Sequence, residues 1–165
     1  SSFLPGEDQG VLMTQISLSE GSTAAQTEAV VEEVEEYLRT EEADAVESTF
    51  AALGFGFRGN GQNSAMLFVK LKDFEERQDA ELSASAVAQR ANEHFTGHRA
   101  GRISVVQPPA IQGLGNQRGF SMYLVDQTGA GTEALRGAAE SLIALAEGDA
   151  RVQNVDVNGT EDRSA

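Results

Sequence analysis

The segment most suggestive of chemistry is glycine-rich, with glycines at positions 54, 56 and 59 in a G-x-G-x-x-G spacing. This spacing indicates a dinucleotide-binding turn only when a helix follows, because the helix N-terminus holds the pyrophosphate. Here a strand is predicted to follow, which excludes a dinucleotide site. A kinase glycine-rich loop does lie between two strands, but the other kinase signatures are missing from the sequence.

Two histidines and a glutamate cluster are the remaining candidates for chemistry. His94 and His98 have the i, i+4 spacing of a helical metal pair, but Gly97 is predicted to end the helix between them. The glutamates at 28, 32, 33, 35 and 36 indicate a mostly solvated helix face. Since no Ser, His and Asp set resembles a triad, we expect no catalytic residue, no metal and no cofactor.

The charge balance narrows the choice of partners. The 165 residues include 26 acids, 12 bases and no cysteine, for a formal charge of −14. This charge repels phosphate backbones and anionic membranes, and it argues against an RNA-binding domain, whose aromatic motif the Gly54 to Phe57 run resembles. The lack of cysteine excludes disulfides. No apolar run is long enough to cross a bilayer, so we expect a soluble chain.

Hydrophobic periodicity predicts two strand–helix–strand units in succession. A capping box of Thr23 and Gln26 opens the first helix, and the second helix begins near Ser83 and ends at Gly97. This order is that of a ferredoxin-like split βαβ sandwich, an α+β fold with four antiparallel strands and both helices on one face. The predicted strands lie at 11–18, 46–53, 65–72 and 102–106.

A third unit, with strands at 120–126 and 152–157 around a helix, has no fourth unit to pair with. A lone βαβ leaves strand edges unpaired, so it docks on the first domain, pairs with a second copy, or belongs with a segment outside this chain. We expect the isolated chain to self-associate through these strands. The predicted organisation is a linker (1–9), a ferredoxin-like subdomain (10–107), a connecting loop (108–118), half of a second subdomain (119–157) and a polar tail (158–165).

Strand parity predicts one sheet face of mixed character, because alternate side chains point to opposite faces. Each large apolar side chain left in water forgoes roughly 1.5 to 3 kcal/mol, so we expect another domain or a small-molecule ligand to cover this face. Phe50 is predicted to share a face with Val46 and Ala52, although parity leaves open which one. The helix side receives Leu12, Ile16, Leu18, Leu67, Val69, Leu71, Ile103 and Val105, and the other face receives Met13, Gln15, Ser17, Met66, Phe68, Lys70, Ser104 and Val106.

The segment 54–61 is predicted to be a mobile loop, too long for a tight hairpin. Two roles for its rings are compatible with the sequence. Phe55 and Phe57 swing over a neighbouring cleft as movable walls, or both rings pin the loop to the core.

Several blocks of residues, in one order and spacing, carry a family resemblance across essentially the whole chain. The sequence resembles the second large periplasmic loop of resistance-nodulation-division (RND) multidrug efflux pumps, in the hydrophobe/amphiphile exporter branch. The blocks are Ser-Phe-Leu-Pro with Glu7-Asp8-Gln9-Gly10, Val46-Glu47-Ser48, Gly54-Phe55-Gly56-Phe57 with Gly61-Gln62-Asn63, Phe68-Val69 with Leu71-Lys72-Asp73, Pro109-Ala110-Ile111, Gly119-Phe120, and Asn158-Gly159 with Glu161-Asp162.

This resemblance implies a noncatalytic, periplasmic porter-domain part of a proton-driven transporter of the inner membrane. It implies hydrophobic or amphiphilic small molecules as ligands, and a homotrimer that works with a periplasmic adaptor and an outer-membrane channel. The alternative is a structural or protein-interaction module with no ligand site of its own, in which the apolar sheet face is purely an interdomain surface.

The resemblance also implies roles for individual residues. Ser104 and Val106 stand where such pumps often carry aromatics, and Asp156 where a basic residue is common, which implies a substrate range of different size or charge. The implied positions are a switch loop (Gly54, Phe55, Gly56, Phe57, Arg58, Gly59, Asn60 and Gly61), a deep-pocket phenylalanine cluster (Phe50 and Phe68), pocket-facing strand positions (Met13, Gln15, Ser17 and Ser64) and access-pocket positions (Leu114 and Asn116).

Overall fold

The computed structural model describes residues 8–56, 59–108 and 154–156, with the backbone alone for positions 55, 59–60 and 154–156. The described residues form two α-helices and five strands, and two short 3-10 turns (Phe74–Glu76 and Ala80–Leu82) precede the second helix. The elements are β1 (Val11–Leu18), α1 (Ala24–Thr40), β2 (Val46–Gly56), β3 (Gly59–Leu71), α2 (Ala84–Phe95), β4 (Gly101–Val106) and β5 (Asn154–Asp156).

The strands form one sheet in the order β4-β1-β3-β2-β5. The first four run antiparallel to their neighbours, which confirms the predicted α+β sandwich. β5 extends the sheet by pairing in parallel with β2, where Ala51 is opposite Asn154 and Leu53 is opposite Asp156. The third unit was expected to dock on the first domain, to pair with a second copy, or to belong with a segment outside this chain. The strand β5 docks on the first domain.

Local signals place both helices as predicted. The Thr23 hydroxyl accepts from the Gln26 N–H at 3.1 Å, and the Gln26 side chain accepts from the Thr23 N–H at 2.8 Å, so the capping box is formed. The Ser83 hydroxyl accepts from the N–H of Ala86 at the start of α2. Gly97 lies just past the end of α2 with a φ of +77°, a conformation that glycine adopts without steric cost.

The core fills the space between the helices and one face of the sheet. Parity predicted its strand residues correctly, since all eight side chains assigned to the helix side belong to this core cluster. Val30, Val34 and Leu38 contribute the stripe of α1. Glu35 departs from the predicted solvated face, because it is buried and its carboxylate accepts from the Thr49 hydroxyl at 3.1 Å.

A β-bulge settles the orientation of β2. Val46 is opposite Leu71 but Ser48 is opposite Lys70, so Glu47 is the extra residue. Because a bulge reverses the alternation of side chains, Val46 joins the helix-side core while Phe50 and Ala52 lie on the other face. The prediction that Val46 and Phe50 share a face is therefore wrong.

Neither α-helix in the described part of the chain is long and apolar enough to cross a membrane.

Candidate ligand-binding face

The candidate site is the sheet surface opposite α1 and α2, here called the helix-free face because neither of these two described helices packs on it. Its residues are placed by direct pairing across three strands, with β1 in the middle. The opposed positions are Met13 with Phe68 and Val106, Gln15 with Met66 and Ser104, and Ser17 with Ser64 and Arg102. The four strand positions implied as pocket-facing, Met13, Gln15, Ser17 and Ser64, thus share one face with Phe68.

Two phenylalanines form the apolar centre of this face. Phe50 of β2 is opposite Phe68 of β3, and their rings stack with centroids 6.0 Å apart and planes 21° from parallel. They are 3% and 0% exposed, yet neither belongs to the helix-side core. The pair therefore forms a second apolar layer, on the side of the sheet opposite α1 and α2.

The helix-free face is not left in water. Met13, Met66 and Phe68 are fully buried, and Val106 on the edge strand, 41% exposed, is the sole large apolar side chain classed as exposed among the described residues. The expectation that this face is covered therefore holds for its central side chains.

The glycine-rich segment is a strand extension rather than a long loop. Phe55 is paired with Asn60 and Gly56 with Gly59, which leaves two residues between the last paired positions. The prediction that the segment is too long for a tight hairpin is therefore wrong. The reason is a register shift after Leu53, which Gly54 permits with a φ of +98°.

This two-stranded extension, residues 54–56 and 59–61, is called the hairpin ribbon. Gly56 packs directly on the side-chain amide of Gln15, although β3 separates their two strands. The ribbon therefore bends over the helix-free face instead of continuing the plane of the sheet. The Gln15 amide also donates to the carbonyls of Ile16 at 3.0 Å and of Ala65 at 3.2 Å.

Polar groups border the apolar centre on both sides. The Ser17 hydroxyl is buried and has no hydrogen-bond partner, a state shared within the described residues only by Thr14. At the opposite end, Lys70 pairs with Glu47 across 3.0 Å, and the Lys70 side chain is only 12% exposed. The face therefore combines two stacked rings, one buried hydroxyl without a partner and a lysine paired with a glutamate.

Some of the implied site residues cannot be placed. Phe57, Arg58, Leu114 and Asn116 lie outside the described residues, and for Phe55 and Asn60 the backbone alone is described. The positions of the Phe55 and Phe57 rings therefore remain predictions.

The histidines have structural roles. His94 stacks on Tyr37 with ring centroids 4.4 Å apart, and the Nε2 of His98 lies 3.0 Å from a carboxylate oxygen of Glu33. No group of three or more potential metal ligands occurs in the part of the chain that the structure describes.

Sequence reasoning missed two ion pairs that hold the scaffold, one of them buried on both sides and the other through its carboxylate alone. Asp8 pairs with Arg77, and Glu42 pairs with Arg90 and also accepts from the Tyr37 hydroxyl at 2.7 Å. Burial raises the pKa of Tyr37, and the hydrogen bond and negative charge of Glu42 raise it further. The only feature of the sequence that could have indicated such a pair was Arg77, a lone arginine in the short segment between a strand and a helix.

Comparison with known proteins finds a family and several relatives. The family model described as the AcrB/AcrD/AcrF family matches residues 1–165. The chain is 43% identical over 162 residues to the multidrug/solvent efflux pump membrane transporter MepB of Pseudomonas putida, covering 98% of this chain and 15% of that protein. It is 43% identical over 163 residues to the multidrug export protein AcrF of Escherichia coli, covering 98% and 16%. With the solvent-resistant pump membrane transporter SrpB of P. putida it shares 39% identity over 160 residues, covering 97% and 15%.

Proposed function

Because the chain belongs to the AcrB/AcrD/AcrF family, we propose that it is a porter-domain part of a proton-driven multidrug efflux transporter. The chain spans about 15% of the length of the curated relatives that it matches, and those relatives are named as pumps and transporters. Its proposed contribution is noncatalytic: it supplies part of the substrate access and deep pockets and the switch loop between them.

One observation carries this proposal. The stacked pair of Phe50 and Phe68 lies on the sheet face opposite α1 and α2, and the hairpin ribbon contacts the same face where Gly56 meets Gln15. An apolar wall with a few convergent polar groups is the common chemistry of small-molecule pockets. The contact between Gly56 and Gln15 supports a position of the implied switch loop beside the implied pocket strands.

The proposed mechanism is binding by dispersion and ring stacking. Hydrophobic and amphiphilic compounds pack against Phe50 and Phe68, with Phe55 and Phe57 as further walls. Gln15 and Ser17 orient the polar end of the ligand, with Asn116 as a third polar contact. The Ser17 hydroxyl supports this role because its hydrogen-bonding capacity is unused.

The proposed setting is the periplasmic side of the inner membrane. There the chain would join the remaining domains of one pump subunit, and three subunits would work with a periplasmic adaptor and an outer-membrane channel. The names of the relatives as membrane transporters support this setting. The division into a subdomain at 10–107 and half of a second at 119–157 belongs to the same proposal.

The small residues on β4 bear on the substrate range. Ser104 is opposite Gln15 and Val106 is opposite Met13, at positions where the resemblance implies aromatics. Smaller side chains leave more room beside β1, so we propose that this pump accepts bulkier ligands at that edge.

The test of the switch-loop role is Phe57→Ala in the intact pump. Loss of one wall is expected to impair resistance to bulky drugs while the amount of pump in the membrane stays unchanged. Phe74→Ala is the matched control, because Phe74 lies in a 3-10 turn after β3. Unchanged resistance to several large drugs in Phe57→Ala would contradict the role.

The complete burial of Phe50 and Phe68 also favours a second candidate, a structural module whose helix-free face is purely an interdomain surface. Titration of the intact pump with a dye substrate, followed by structure determination, separates the two. Ligand density beside Phe68 supports the drug-binding proposal, and density confined to other sites supports the structural module.

A further inference from the structure

We propose that Gln15 is a positioning residue that sets where the hairpin ribbon lies over the helix-free face. The contact between the Gln15 amide and Gly56 joins β1 to the far end of β2, across the intervening β3. It is therefore a tertiary contact, independent of the ladder that pairs the strands.

Gly54 and Gly56 of the hairpin ribbon resist substitution by larger residues for different reasons. Gly54 has a φ of +98°, so its backbone conformation favours glycine. Gly56 has no positive φ, and an alanine there would meet no backbone strain. A Cβ at position 56 would instead overlap the amide nitrogen, oxygen and carbon of Gln15. Position 56 is therefore limited by the space that one side chain occupies.

The Gln15 amide cannot easily move aside. The residue is 7% exposed, and its Nε2 donates to the Ile16 and Ala65 carbonyls. Displacement of the amide would leave buried polar groups without partners, which is costly. The amide thus acts as a fixed support beneath the ribbon.

A consequence follows for ligand size, and it rests on the proposed function. The side chain at position 15 sets the gap between ribbon and sheet, next to Met66 and Ser104. A shorter side chain would let the ribbon settle closer to the sheet, which would change the relative export of large and small substrates.

The test is a double-mutant cycle on the full 165-residue chain, with Gly56→Ala, Gln15→Ala and the double variant. Gly56→Ala alone is expected to lower the melting temperature by at least about 2–4 °C, the scale of one modest defect in a chain of this size. In the Gln15→Ala background the same change is expected to cause no further drop, because the overlapping amide is gone. Such a rescue is not expected of two unrelated structural defects, which add.

Gly21→Ala is the matched control. Gly21 has a φ of +92° and open space where an alanine methyl group would lie, so its cost comes from the backbone alone. This cost is expected to be the same in both backgrounds. If Gly56→Ala has no effect, or lowers the melting temperature equally with and without Gln15, the positioning role is overturned.

The cycle measures stability, so it is separate from drug binding. If the effects of the two substitutions on the melting temperature are coupled but the helix-free face binds no dye, the positioning role of Gln15 is supported and the proposed function is contradicted. If the two changes in melting temperature are additive and the pump binds dye at Phe68, only the positioning role of Gln15 is overturned.

Discussion

At the scale of single residues, the most consequential polar contact is the buried pair of Asp8 and Arg77. Their side chains are 5% and 2% exposed, and both guanidinium NH2 groups reach the carboxylate, at 3.0 and 3.1 Å. Arg77 also donates to the carbonyls of Lys72 and Leu82, and Asp8 accepts from the N–H of Ala84. The pair therefore ties the chain before β1 to the segment that leads into α2.

We predict that Asp8→Asn lowers the free energy of unfolding by about 3–5 kcal/mol, because it leaves a buried arginine without its counter-ion. Urea denaturation of the two proteins at neutral pH measures this loss. The control is Asp44→Asn at an exposed position, which is expected to change stability by less than about 1 kcal/mol. A small loss, similar to that of the control, would contradict the structural importance of the pair.

The same carboxylate predicts a dependence of stability on pH. Burial opposes ionisation of Asp8, but hydrogen bonds from Arg77, Ala84 and Gly10 outweigh it and lower the pKa below its ordinary value of 3.8. Because the pKa of Asp8 is lower in the folded than in the unfolded protein, the ionised carboxylate stabilises the fold. This contribution is complete above the unfolded-state pKa and is lost as the pH falls through the folded-state pKa. The difference in stability between wild type and Asp8→Asn is therefore expected to shrink as the pH falls below about 4. A difference that stays constant from pH 7 to pH 3 would contradict this assignment.

At the scale of elements, Glu42 joins the end of α1 to α2. Its carboxylate is 3% exposed and accepts two hydrogen bonds from Arg90, at 3.0 and 2.8 Å, together with one from Tyr37. The hydrogen bond to Glu42 raises the pKa of Arg90 against the opposing effect of burial. The helices are thus fixed to each other by one side chain in the turn after α1.

We predict that Glu42→Gln lowers the free energy of unfolding by about 1.5–3 kcal/mol, the usual value of hydrogen bonds to a charged group. The neighbouring Glu41→Gln is the control, because Glu41 is exposed and is expected to change stability little. Thermal denaturation of both variants measures the difference. Equal melting temperatures for the two variants would mean that the contacts of Glu42 with Arg90 and Tyr37 contribute nothing to stability.

At the scale of the whole molecule, the four antiparallel strands β4-β1-β3-β2 have a partner at each of their two outer edges. β5 pairs with β2 at one edge. At the other, the Asn92 side chain donates to the carbonyl of Val105 and accepts from its N–H, both at 2.8 Å, and so covers a free position of β4. Covered edges limit pairing between molecules.

We predict that Asn92→Ala exposes the edge of β4 and increases the self-associated fraction of the chain relative to wild type. Sedimentation velocity over a range of protein concentrations measures this fraction. Gln89→Ala serves as control, because Gln89 lies exposed on the same helix. An unchanged association profile for Asn92→Ala would show that other contacts cover the edge.

The sequence by itself determined α1, α2 and the two faces of β1, β3 and β4. Caps at Thr23 and Ser83 act within one helical turn, and strand alternation depends only on neighbouring residues, so both could be derived from local rules. The same alternation is sufficient to place Met13, Gln15 and Phe68 on one face. The proposed roles of these residues came from the family resemblance, because local rules contain no information about function.

Tertiary structure alone decided the remaining features. The bulge at Glu47, the docking of β5 on β2 and the bend that brings Gly56 to Gln15 all depend on pairing between distant segments. The pairs of Asp8 with Arg77 and of Glu42 with Arg90 likewise join residues 69 and 48 positions apart. Which charges are buried together depends on how the completed fold excludes water, and no local pattern in the sequence carries that information.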